Sequence, residues 1–188
     1  MNFTRLQQTH IADLASVYGG ARGRTMSSRH QLYAWRALKE AGVTTIIDLR
    51  LTDHTDRLPH LCEEYGMQYF HYPVDTSADA IAQMVELFPE LCRLIDDGDF
   101  YIACAMGLHR TDIALCAYWV FHGAEIGLPP PEIRGYRTED GHTTDKLNRV
   151  LNAMYQAFAD INGAEQVPKQ IFIERKKTIH NALIFTQS

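Results

Sequence analysis

The chain has 188 residues, 46% hydrophobic and 22% charged, with 18 Lys and Arg against 23 Asp and Glu for a formal charge of −5. That length buries a full core in one domain without disulfide or metal staples. An acidic balance gives no basis for a nucleic-acid or anionic-membrane partner, so a site for an anionic substrate has to be basic locally.

The N-terminus, MNFTRLQQTHIADLASVYGG, lacks the apolar core of a signal peptide, and no stretch approaches a membrane span. Cytoplasmic placement is expected, with Cys62, Cys92, Cys104 and Cys116 reduced. None of the four has zinc-ligand spacing, and three of them read as small buried apolar residues.

In chain order, residues 16–21 read as a short strand before a polar run. Ser27 or Ser28 then caps a helix whose face holds Leu32, Trp35, Ala37 and Leu38, ending at Gly42. VTTIIDL (43–49) is β-branched and reads as a buried strand. A loop with Arg50, Asp53, His54 and Arg57 leads to a short helix from His60, then to a strand over 67–74. The spacing of Ile81, Met84, Val85, Phe88, Leu91, Leu94 and Ile95 predicts a long amphipathic helix, which Pro89 either kinks or splits. Here Met84, Phe88 and Leu91 read as core.

A third strand (99–105), an apolar helix (110–123), an irregular stretch (127–144) with a rigid GLPPP turn, and a helix (144–158) follow. The tail is ambiguous; a helical reading aligns Ile171, Arg175, Thr178 and Ala182 on an imperfect apolar face. Alternating strands and helices predict an α/β fold: a central, mostly parallel sheet flanked by helices in a single domain over 1–188, with its core at about 16–160 and a tail at 161–188.

In such sheets, ligands bind beyond the carboxyl ends of strands. ACAMGLHRTD (103–112) takes that position after the third strand. A short loop before a helix can turn the N–H groups of Ala105, Met106, Gly107, Leu108 and His109 inward as an anion cradle. Gly107 admits a conformation that other residues resist. Arg110 offers a planar fork matching two phosphate oxygens. A cradle that favours negative charge stabilises Cys104 as a thiolate, placed for in-line attack on phosphorus. No metal or cofactor is needed.

Cys104, Gly107, Arg110 and Thr111, as C-x-x-G-x-x-R-T after a buried strand, resemble the signature loop of the cysteine-dependent protein tyrosine phosphatase superfamily. GVTTIIDLR followed by YGMQYFHYPVD is similar to the paired strands of its compact dual-specificity members. The resemblance covers roughly residues 16–123. It implies that Cys104 is the nucleophile, that Arg110 clamps phosphate, and that Thr111 hydrogen-bonds the thiolate and assists breakdown of the intermediate. It also implies a general acid from a neighbouring loop, for which Asp75 is the first candidate and Asp79 the second. A role of Asp75 or Ser77 as a mere helix cap is the alternative. Arg50 is implied near the pocket, and His54, Arg57 and His60 extend a basic rim or a solvated loop.

Three positions depart from the family pattern. Ala103 stands where a histidine is usual, Met106 where a small residue is common, and Asp112 where glycine is frequent. Asp112 either complements the helix dipole or weakens phosphate binding by turning inward. These departures keep open a catalytically impaired phosphate-binding relative. The loop lacks a lysine, which favours phosphotyrosine or another singly phosphorylated substrate, while His109 and Arg50 leave inositol phosphates or phospholipids as an alternative. A rhodanese-like sulfur transferase shares the strand-to-helix cysteine, but the arginine six positions on, followed by threonine, disfavours it. The sequence leaves the oligomeric state open.

Overall fold

The computed structural model describes residues 35–36, 38–49, 58–73, 78–103, 109–131, 142–162 and 167–185. The expected strand at 16–21 and the Ser27 or Ser28 cap lie outside them. Two compact units divide the chain: Met1–Val74 with Arg93–Thr111, and Asp75–Cys92 with Asp112–Ser188.

In the first unit, the β-branched run yields a fully buried central strand, β1 (Thr45–Asp48). It pairs in parallel with β2 (Gln68–His71) and with β3 (Phe100–Ala103), giving the order β2-β1-β3. The expected parallel α/β arrangement is present, with strands shorter than their apolar runs.

Between β1 and β2 lies helix α1 (Leu58–Tyr65), which packs on β2. It starts two residues before His60 because Pro59 suits a helix's first turn, where its missing N–H is not needed. Two helix ends hand the chain to strands by the same device. Gly42 and Gly66 adopt φ of 77° and 71°, open to glycine without strain. The following N–H groups then reach back, Val43 to the Leu38 carbonyl at 3.0 Å and Met67 to that of Cys62 at 2.7 Å. Gly42 thus ends the first helix as its sequence position predicts.

The parallel register puts Ile46, Tyr69 and Tyr101 side by side on one face of the sheet. Ile46 and Tyr101 join Trp35, Leu38, Val43, Cys62 and Met67 in one buried cluster, with Leu61, Tyr65 and Tyr69 packed against it. Trp35 stacks on Tyr65 at 5.9 Å between ring centroids. Each fully buried side chain of this size contributes about 1.5–3 kcal/mol.

Helix α2 (Ala78–Asp96) is a single helix that carries Pro89 within it. The proline therefore does not split it. Pro89 is on the exposed side, while Met84, Phe88 and Leu91 are buried as expected. Helix α3 (His109–Tyr118) opens into a π-helical turn at Trp119–Gly123, with the Ala124 N–H on the Trp119 carbonyl at 2.9 Å. Both α2 and α3 contribute residues to each unit.

The second unit also holds α4 (His142–Asn162) and α5 (Lys169–Phe185). Helix α4 is longer at both ends than the expected 144–158. An aromatic cluster ties these helices, with Phe88–Phe158 at 5.2 Å, Phe121–Phe158 at 4.9 Å and Tyr155–Phe172 at 4.2 Å. Such pairs add about 0.5–1.5 kcal/mol each beyond area burial. The ambiguous tail is therefore helical, but its buried face is not the one aligned on Ile171. Phe172 and Ile179 are buried and Ile171 is 39% exposed. The reason is the aromatic cluster: Phe172 stacks on Tyr155 and rotates Ile171 outward.

After α3, residues 124–127 form a tied-back turn that ends where GLPPP begins. Trp119 donates from Nε1 to the Leu128 carbonyl at 2.8 Å, and the Leu128 N–H reaches Gly123 at 3.0 Å. Arg175 donates from Nη1 to the Val120 carbonyl and approaches the Glu125 carboxylate at 3.4 Å. No described helix is long and apolar enough to cross a membrane.

Candidate active site

The register sets the carboxyl ends of the three strands level. Asp48 is opposite His71 on one side and Ala103 on the other. Cys104 follows Ala103 directly, and α3 starts at His109. The candidate cradle is thus the segment between the end of a buried parallel strand and the start of a ten-residue helix, the setting the motif requires. Residues 104–108 themselves lie outside the described residues, as do Asp75 and Arg50. So do His54, Arg57 and Ser77. Asp79 is the second residue of α2, and His60 is an exposed residue of α1.

Arg110, in the first turn of α3, is half-buried and donates from Nη1 to the Leu49 main-chain carbonyl at 3.3 Å. Its guanidinium therefore extends toward the carboxyl end of β1, the strand beside the one that delivers Cys104. A guanidinium has five N–H donors, so this bond leaves others for a bidentate partner.

Thr111 is fully buried, and its Oγ1 finds no hydrogen-bond partner among the described residues. Asp112 is 1% exposed. It lies in the first turn of α3, next to Thr111. One turn on, Cys116 has its thiol pKa pushed well up, by burial first and by the Asp112 carboxylate second.

Cys62 behaves alike. Burial, with the Asp48 carboxylate second, pushes its thiol up to about 12. Cys62 and Cys116 are free, buried and protonated at neutral pH, as inert structural thiols are. Cys92 is half-buried.

Sequence reasoning passed over Asp48 itself. It is wholly buried at the end of β1 and accepts a hydrogen bond from the Tyr69 hydroxyl at 3.0 Å. Strand alternation puts Asp48 on the face of Ile46, and the register with β2, which the sequence does not carry, brings Tyr69 to that face. The Arg110–Leu49 bond had no signal in the sequence, because its acceptor is main chain.

No family model matches the chain, and no curated protein does. Among solved structures it is similar to the Yvh1 phosphatase domain from Chaetomium thermophilum, at 19% identity, covering 78% of this chain and 83% of that one, with a TM-score of 0.38. It is also similar to Tk-PTP in its active form, at 17% identity, covering 78% and 86%, with a TM-score of 0.36. These overlaps are modest in identity and superposition, and the chain's own residues carry the functional reading.

Proposed function

We propose that the chain is a single phosphatase-like domain, cytoplasmic, that hydrolyses phosphomonoesters without a metal or cofactor. The observation that carries this is the placing of Arg110. The arginine that closes the C-x5-R-T spacing sits in the first turn of a helix directly after the cradle and reaches the edge where the strands end.

In the first step, the Cys104 thiolate attacks phosphorus, forming the S–P bond as the P–O ester bond breaks. Asp75 gives its proton to the leaving oxygen, which departs as an alcohol or phenol. In the second step, Asp75 takes a proton from water, whose oxygen attacks phosphorus. Inorganic phosphate leaves and the thiolate is restored. The N–H groups of residues 105–109 and the Arg110 fork hold the equatorial oxygens as charge develops. Thr111, a buried hydroxyl at the loop's end, donates to the thiolate as it leaves phosphorus. The substrate class is a phosphotyrosine protein or a small phosphomonoester, with Arg50 at the rim.

Hydrolysis of p-nitrophenyl phosphate with EDTA present tests the mechanism. Wild type is expected to turn over and to be inhibited by vanadate, and Cys104→Ser to be inactive. Activity retained by Cys104→Ser would sink it. Saturable vanadate binding without turnover would instead identify a phosphate-binding module whose thiol, lacking a histidine at Ala103, is too weakly acidic. Asp75→Asn is expected to slow alkyl phosphates far more than activated aryl phosphates; equal losses would transfer the test to Asp79.

A further inference from the structure

Helix α5 carries Lys169, Arg175, Lys176 and Lys177 against a single Glu174, in a chain whose formal charge is −5. Arg175 is engaged by Val120 and Glu125. The next two cations have a different setting. Lys176, Lys177 and His180 converge with Asn148 of α4, Ile173 and Asn181 on a cavity of about 240 Å³, and among the described residues no carboxylate lines it.

Lys176 is fixed rather than waving in solvent. Its Nζ donates to Asn152 Oδ1 at 2.6 Å and lies 5.1 Å from the Phe172 ring centroid. Asn152 takes one of the three ammonium donors, so the others stay available to a ligand. Burial pushes the Lys176 pKa down, the mark of a cation partly stripped of water that gains from an anion beside it. The side chain is ordered before any ligand arrives, which lowers the entropy lost on binding.

We propose that this cavity is a binding site for a small soluble phosphate compound, formed by residues other than those of the 104–111 loop. Two ammonium groups, an imidazole and two carboxamides match an anion with several acceptor oxygens, and nothing in the lining repels it. The cavity falls below the ~300–1,000 Å³ of drug-sized ligand sites, which suits one or two phosphate groups.

The test is an NMR titration of the ¹⁵N-labelled full chain with pyrophosphate at constant ionic strength, with the signals of residues 104–111 followed in the same spectra. Saturable shifts are expected at the side-chain amides of Asn148 and Asn181 and along the backbone of Lys176 to Asn181. Lys177 is exposed, so Lys177→Gln keeps the fold and is expected to weaken binding about fivefold. The double variant Lys176→Gln, Lys177→Gln is expected to weaken it at least about tenfold. Shifts reproduced by sodium chloride at the same ionic strength overturn the proposal, as does an unchanged affinity in both variants. Binding confined to phosphatidylserine vesicles, with no response to pyrophosphate, replaces it with a membrane surface.

Discussion

Arg110 donates its guanidinium Nη1 to the main-chain carbonyl of Leu49 at 3.3 Å, joining the start of α3 to the residue after β1. The two are 61 positions apart in sequence. The bond brings the arginine that closes the candidate cradle to the segment that precedes Arg50. It aims the side chain without using up the fork.

Arg110→Lys retains the charge but loses the planar fork, so it is not a conservative change here. We expect kcat/KM for p-nitrophenyl phosphate to fall by about 10²–10³, the usual loss for one donor aimed at a developing oxyanion. Only about 0.5–1.5 kcal/mol of stability is expected to go with the Leu49 bond. Steady-state kinetics and urea unfolding on the same preparation separate the two. A loss of stability without a loss of rate would make Arg110 purely structural.

Thr111→Val replaces a fully buried hydroxyl by a methyl group of similar size. Because Oγ1 has no partner among the described residues, the variant is expected to unfold at the same or a higher temperature. Turnover should slow at breakdown of the phosphoenzyme, seen as a larger burst of nitrophenol before a slower steady rate. Thr111→Ser should restore the wild-type rate. A large drop in Tm with normal kinetics contradicts the role given to the hydroxyl.

The thiols differ in a way that alkylation reads directly. With its thiol pushed up to about 12, Cys62 holds only about 10⁻⁴ of its population as thiolate at pH 8. Iodoacetamide at pH 8, followed by mass spectrometry, should leave Cys62 and Cys116 unmodified while Cys104 reacts first. The same shift has a stability consequence. A folded-state pKa above the ordinary value of 9.0 means that the folded chain keeps a proton the unfolded chain gives up. The stabilisation is thus complete below pH 9 and is lost as pH rises toward 12. Cys62→Ala should flatten the fall in stability across that window.

Arg175→Met removes the donor to the Val120 carbonyl at the π-helical turn while keeping the length of the stem. A charge-assisted hydrogen bond from a half-buried site is worth about 1.5–3 kcal/mol. The urea midpoint is expected to fall accordingly at constant m. An unchanged midpoint would mean that water serves the carbonyl equally well.

Local chemistry made several elements legible without coordinates. Hydrophobic periodicity marked α2, and the β-branched run marked β1. Gly42 closed its helix because few other residues accept a positive φ. The candidate cradle was legible for a similar reason: strand, cysteine, glycine, arginine and helix all lie within one short stretch. The structure keeps that context, with β3 ending at Ala103 and α3 starting at His109.

What the local signals missed depends on partners far along the chain. Which face of α5 is buried was decided by Tyr155, on another helix, against which Phe172 stacks. The π-helical turn is served by Arg175, 55 positions beyond Val120. Propensity is blind to both. By itself, the sequence determined the alternation of strands and helices and the parallel sheet, because spacing along one chain suffices for periodic elements; it also marked the stretch between β3 and α3 as the candidate cradle. Only the tertiary structure decided that Asp48 is buried under the Tyr69 hydroxyl and that Arg110 is held by Leu49. Each joins groups on separate elements: the register of β1 with β2 brings Tyr69 to Asp48, and the start of α3 beside the end of β1 brings Arg110 to Leu49.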